Sequence, residues 1–356
     1  MGAERLGVLW PYNLPAGVGL AAEGDGPDGS NTLLAGHPET DAIVIAFTNT
    51  FGLAMSWSSR FLMLLLAAAA RPAAGQAPPA PDSAKAPPGA ELLLPIGSFV
   101  LPGLGQYVQG APLAGLGFST TAVFGVAISQ TGNPVTPALG GLPRKGDDQL
   151  ANQGAHLTVT AGALSAYDAF RRAIPALQRE GKYRFLPRDE TVGDLLSAPF
   201  DVRFLSRWTT WVDLAYTAAV VGLVLGQRDD GVGYEPFRWR DAPFVTSLSF
   251  NAAVGEEAWF RGWLLPLFHQ NLRKRFWVAN GLQAAIFAGL HVPQAEEVAV
   301  AIGAWALYEG WLVRRNDWSI RESVFHHFWY DVAVVTATLL LDETPEIQLT
   351  FPAIRF

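Results

Sequence analysis

Glu256 and Glu257 stand side by side in an apolar stretch, with Arg261 one helical turn later, in Gly255-Glu-Glu-Ala-Trp-Phe-Arg-Gly262. On a helix Glu257 and Arg261 are i and i+4 with the acid first, so they neutralise each other on one face. Glu256 projects about 100° away, and the residues three and four positions from it, Ala252, Ala253, Trp259 and Phe260, carry no charge. A carboxylate left without a partner among apolar groups is a proton acceptor, and at a hydrolytic centre it would activate water as a general base. Two imidazoles can join it. His291 ends the run Phe287-Ala-Gly-Leu-His291, and His327 has Asp331 at i+4 in His326-His-Phe-Trp-Tyr-Asp331. A carboxylate one turn from an imidazole fixes its tautomer.

The chain has no cysteine, which excludes disulfides, thiolate metal sites, iron–sulfur clusters and cysteine nucleophiles together. Metal use stays open. There is no His-Glu-x-x-His, so a divalent metal such as zinc would have to take Glu256, His291 and His327 as its three ligands. No other cofactor is signalled.

The elements that must position these groups are apolar. Of 356 residues 50% are hydrophobic and 16% charged, against roughly 25% charged in an ordinary soluble domain. Thirty-six Gly, 25 Pro and 12 Trp fit helical spans, where Gly and Pro are tolerated and Trp collects at the interfaces. Apolar segments fall at about 92–108, 113–131, 154–170, 208–226, 243–268, 277–293, 296–313 and 320–341. The expected fold is all-α, a multi-pass transmembrane bundle with about eight membrane segments. The net charge of −7 argues against a nucleic-acid partner. The expected partners are the lipid bilayer and a peptide or membrane-protein substrate, with the oligomeric state open.

Basic clusters precede the fourth segment (Arg171 to Arg207), follow the fifth (Arg273, Lys274, Arg275) and separate the seventh from the eighth (Arg314, Arg315, Arg321). Counting segments puts all three on one side, which the positive-inside rule makes cytoplasmic. Both termini are then outside the cytoplasm, in an inner (plasma) membrane. The Arg, Ala, Gly and Pro richness points to a bacterial coding sequence. Residues 55–75 have the pattern of a signal peptide, which makes 1–54 a spurious or disordered upstream extension. Residues 76–90 are a Pro-rich linker, 91–190 a membrane module with a basic loop, 191–342 the domain with the ionisable groups, and 343–356 an extracytoplasmic tail.

In the first module, Pro102-Gly-Leu-Gly-Gln106-Tyr107 and Tyr167-Asp168-Ala169 resemble a small prokaryotic PGLGQ-type membrane module, and their Gly spacing reads as a packing hairpin. In the second, Glu256-Glu257-x-x-x-Arg261, Phe287-x-x-x-His291 and His327-x-x-x-Asp331 resemble, in that order, the three motifs of the CAAX-protease and bacteriocin-processing intramembrane proteases, the CPBP or ABI family. Asp331 departs from that pattern, which more often has Asn there. The resemblance implies an intramembrane endopeptidase. It also implies that Glu256 and His291 activate a water, that His327 and Asp331 orient or stabilise the oxyanion, and that Glu257 and Arg261 support the site. A silent scaffold that binds a partner protein, or a transporter, would use the same charges.

Other polar groups read as ordinary. His326 lacks an acid at i+4 and is assigned to packing, Glu309 to a snorkelled pair with Arg314, and Asp213 to an interface beside Trp208 and Trp211. One difficulty is depth. At about 1.5 Å per residue, His327 lies roughly 9 Å from Arg321 and His291 roughly 21 Å from Trp277, so straight parallel helices would not bring them level. The site closes only if helices tilt or break, which Pro293 and the short sixth segment allow.

Overall fold

The computed structural model describes residues 19–22, 33–36, 43–45, 85–134, 143, 145–226, 236–291 and 299–341. The chain divides into two units, Met1–Pro72 and Ala73–Phe356. In the first, three short strands, β1 (Gly19–Ala22), β2 (Leu33–Gly36) and β3 (Ile43–Ile45), pair antiparallel in the order β1-β2-β3. These strands lie within residues 1–54, which the all-α expectation set aside as an upstream extension. The expected signal peptide, the start of the linker and the acidic tail lie outside the described residues.

The second unit is helical: α1 (Leu93–Val100), α2 (Leu104–Val108), α3 (Pro112–Ser129), α4 (Gly146–Arg179), α5 (Val192–Ser197), α6 (Trp208–Gly226), α7 (Ala242–Trp259), α8 (Leu265–Asn271), α9 (Phe276–His291), α10 (Ala299–Arg315) and α11 (Arg321–Leu339). Among the described residues two of these, α3 and α6, are long and apolar enough to cross a membrane, against the eight segments expected. The first segment breaks into α1 and α2, and the fifth carries Glu256, Glu257 and Arg261 and is interrupted after Trp259. Leu113, Leu116 and Phe124 on α3, and Trp208, Trp211 and Leu223 on α6, face outward, the pattern of helices that meet an apolar surround.

Helix α4 is the spine. One face carries Gln149, Thr160 and Tyr167 at helical spacing, and each meets the segment that holds the two glutamates. Gln149 donates to Asp241 Oδ1 (2.9 Å), Thr160 Oγ1 to the Asn251 carbonyl (2.9 Å), and the Tyr167 ring covers Gly262. A Cβ on Gly262 would lie 2.5 Å from that ring, so the close approach requires glycine.

The two motifs of the first module meet. Gln106 donates to the Ser165 carbonyl (2.9 Å) and to Asp168 Oδ2 (2.9 Å), and Gln109 donates to the Ala169 carbonyl (2.8 Å). Gly103 makes the turn with φ of 100°, and a Cβ there would sit 2.3 Å from the Gly115 carbonyl oxygen. Gly103→Ala is therefore expected to cost on the order of 1–3 kcal/mol, read as a lower thermal midpoint in detergent. Gly117→Ala, which meets nothing within 4 Å inside α3, does not lower the midpoint.

The start of α11 is pinned from three directions. Glu322 accepts from Arg207, Thr209 and Asn316. Glu190 receives the Tyr167 hydroxyl (2.8 Å) and the Ile320 amide (3.2 Å). Asp201 accepts from Arg203 (2.7 Å) and Arg321 (3.0 Å), and the Arg203 hydrogen bond in particular holds its carboxyl below the usual range. These contacts fix the rotation of α11, and with it the direction of His326 and His327.

Candidate active site

Glu256, Glu257 and Arg261 come from α7 and the π-helical turn that follows it, Phe260–Leu264. His291 is the last residue of α9, and His327 and Asp331 occupy one face of α11. The structure brings all six together. Glu256 Oε2 lies 4.0 Å from His291 Nε2 and 3.8 Å from His327 Nε2, and His327 Nε2 lies 3.5 Å from Asp331 Oδ2. The two histidines do come level; Pro293, the expected place of a tilt or break, lies outside the described residues. The irregularity is in the fifth segment, where the π turn widens the helix directly after the glutamates; such turns occur frequently at functional sites.

Glu257 and Arg261 pair as expected, Oε1 to Nη1 at 3.0 Å, and both side chains are fully buried. The guanidinium lies over the Phe287 ring (4.4 Å to its centroid) and the Trp305 ring (5.4 Å), which lets two aromatic faces take the place of water around a buried cation. Glu257 does more than balance this charge. Its Oε1 also faces His327 Nδ1 at 2.9 Å, and its Oε2 accepts from Ser323 Oγ.

These partners decide the imidazole tautomers. An ionised carboxylate only accepts, so His327 carries a proton on Nδ1 and turns Nε2 toward Glu256 and Asp331. His291 Nδ1 stands 2.7 Å from the Phe287 carbonyl, so it too is protonated there and presents Nε2 to Glu256. Glu256 Oε2 is buried and has no hydrogen-bond partner, although the side chain as a whole is 34% exposed. The result is one uncommitted carboxylate oxygen and two imidazole nitrogens converging on a site with access from outside. The separations of 3.8 and 4.0 Å are too long for direct hydrogen bonds and suit one bridging water.

Several sequence assignments change. Asp213 is 1% exposed and accepts from Trp305 Nε1 (3.0 Å), so it is not interfacial. Glu309 is fully buried against His326 (3.2 Å) and makes no pair with Arg314, whose guanidinium lies over Phe276 and Trp318. His326 is a member of this polar cluster rather than a packing residue, because its acids lie at i−4 (Glu322, 3.8 Å) and on α10 (Glu309). A further histidine was missed: His156 on α4 interacts electrostatically with Glu256. It lies seven residues from Gln149 and four from Thr160, on the face turned to α7, and its place within an apolar segment was a signal that could have found it.

As to metals, the ligand atoms of Asp213, Glu309 and His326 all lie within 4.8 Å of one another among the described residues, and the set Glu256, His291 and His327 forms no such group. No curated protein and no solved structure matches the chain. Over residues 238–333, the stretch that holds Glu256, Glu257, Arg261, His291, His327 and Asp331, the chain matches the model of a protease family, Type II CAAX prenyl endopeptidase Rce1-like.

Proposed function

We propose that this chain is an intramembrane endopeptidase that hydrolyses a peptide bond by attack of a water activated by Glu256. The observation that carries the reading is the buried, unpartnered Oε2 of Glu256, 3.8 and 4.0 Å from two imidazole nitrogens whose other nitrogens are already committed. Glu256 takes the proton of a water that also contacts His291 Nε2, and the hydroxide attacks the scissile carbonyl. His327, held by Glu257, turns Nε2 toward the developing oxyanion and donates to it when doubly protonated, with Asp331 at 3.5 Å stabilising the imidazolium. Glu256 then returns the proton to the leaving amine. Exposed apolar faces on α3 and α6 support a multi-pass membrane protein, and the side on which the basic clusters fall favours an inner membrane with both termini outside the cytoplasm. The substrate class is a peptide or a membrane-protein segment.

A pull-down with Glu256→Gln tests this reading. Polypeptides retained by the variant should be shortened when the wild type is added, and retention with no shortening would identify a scaffold instead. Asp331 supplies a graded check. Asp331→Asn keeps a polar group beside His327 and should retain measurable turnover, whereas Asp331→Ala should lose on the order of 10²-fold or more in kcat. Equal activity in the two variants would remove Asp331 from the site.

A further inference from the structure

Next to the candidate active site, and apart from it, lies a second polar cluster that the hydrolytic scheme does not use. Asp213 of α6, Glu309 of α10 and His326 of α11 are each no more than 1% exposed. Their hydrogen bonds do not close. Asp213 Oδ1 accepts from Trp305, and Asp213 Oδ2 has no partner; Glu309 Oε1 faces His326 Nδ1, and Glu309 Oε2 has no partner. Glu322 is not short of partners, since Arg207, Thr209 and Asn316 all donate to it. Two carboxylates therefore remain in the interior with a single imidazole between them, an arrangement that apolar surroundings penalise heavily unless a cation is present.

The tautomer of His326 says where that cation sits. Thr210 Oγ1 has one proton and gives it to the Phe204 carbonyl (2.8 Å), so at its 3.0 Å contact with His326 Nε2 it accepts. His326 Nε2 is then the N–H, and in the neutral ring Nδ1 is a lone pair aimed at a carboxylate oxygen 3.2 Å away. Two acceptors face each other. Either a proton or a metal ion must lie between them, and 3.2 Å is about the separation of two ligands of a tetrahedral ion with bonds of about 2.0–2.1 Å. A proton satisfies that pair alone and leaves Asp213 Oδ2 and Glu309 Oε2 unanswered. A divalent ion takes Nδ1, Glu309 and Asp213 together and brings two carboxylates and a neutral imidazole to zero net charge.

We infer that Asp213, Glu309 and His326 bind a divalent transition-metal ion, zinc being the best match to one imidazole and two carboxylates whose ligand atoms lie within 4.8 Å of one another, with 3.2 Å between His326 Nδ1 and Glu309 Oε1. The site holds α6, α10 and α11 together and is distinct from the water-activating carboxylate. Trp305 connects the two: its Nε1 donates to Asp213, and its ring packs edge-on to His327 at 5.0 Å.

The test is metal content, which does not depend on any peptidase activity. Full-length protein in detergent is stripped with a chelator, reloaded with zinc or cobalt(II) alone, desalted and analysed by mass spectrometry for metal. Wild type and Glu256→Gln should both retain stoichiometric metal, while Glu309→Gln and His326→Gln should fall by more than the ~10–100-fold that loss of an outer-shell partner causes. Because those variants could fail to fold, the wild type itself supplies a second readout: cobalt-loaded protein should show the intense visible bands of a low-coordinate N/O site and lose them to excess zinc. Wild type that retains no metal after reloading would overturn the inference and leave His326 as a doubly protonated imidazolium. Metal lost with Glu256→Gln but kept in Glu309→Gln would equally overturn it, by moving the ion to the hydrolytic site.

Discussion

Glu256→Gln is expected to remove turnover while leaving the yield and thermal midpoint of the protein near those of wild type. The side chain makes no hydrogen bond through its buried Oε2, and the two imidazole nitrogens facing it are 3.8 and 4.0 Å away, so the amide replaces it without orphaning a partner. What the amide cannot do is accept a proton at the moment water attacks. General-base assistance contributes about 10²–10⁴-fold, and loss of at least that factor in kcat is the expected result. Size-exclusion profiles and unfolding curves measured beside the peptidase assay separate the chemical role from a structural one. Loss of folded protein in parallel with activity would make Glu256 a structural residue.

Arg261→Met is expected to do the reverse, damaging the fold first. Removing the guanidinium, which lies over two aromatic rings, leaves Glu257 fully buried without its ion-pair partner. Breaking a buried pair from one side costs on the order of 3–5 kcal/mol, a large fraction of a typical margin of about 5–15 kcal/mol. Glu257→Leu combined with Arg261→Met should recover part of that stability, because replacing both partners of a buried pair by apolar groups is often neutral, while His327 Nδ1 and Ser323 Oγ lose their buried acceptor. Activity should not return with it, since His327 Nδ1 then has no acceptor at 2.9 Å and Nε2 is no longer held toward Glu256. A double variant that regains turnover would show that Glu257 does not orient His327.

What could be read from the residues was whatever one helix decides by itself. The i,i+4 pairs Glu257–Arg261 and His327–Asp331 follow from helix geometry, and both occur, at 3.0 and 3.5 Å. The solitary character of Glu256 was legible for the same reason, because all its helical neighbours are apolar. Contacts made between helices were not. His326, Glu309 and Asp213 lie on three different helices, and nothing in the spacing along any one of them announces the others. Glu257 was seen as the partner of Arg261, but its second contact, to His327, crosses from α7 to α11. The π turn was hidden too, because a widened turn depends on what packs around it. Here that surround includes the Tyr167 ring against Gly262. Among the described residues two helices are long and apolar enough to cross a membrane; the other expected segments are shorter, broken or, like α7 with its buried glutamate–arginine pair, interrupted by ionisable groups, features that depend on how the helices pack.

The most direct measurement of the central claim is hydrolysis in oxygen-18 water. Purified wild type and Glu256→Gln are incubated in detergent with a library of membrane-protein segments, and the products are read by mass spectrometry for new termini and isotope content. The account predicts new C-terminal carboxylates that carry one oxygen from the labelled water, made by the wild type and absent with Glu256→Gln. New termini of equal abundance with both proteins would contradict it, as would a wild type that makes none while the Glu256→Gln variant is equally well folded.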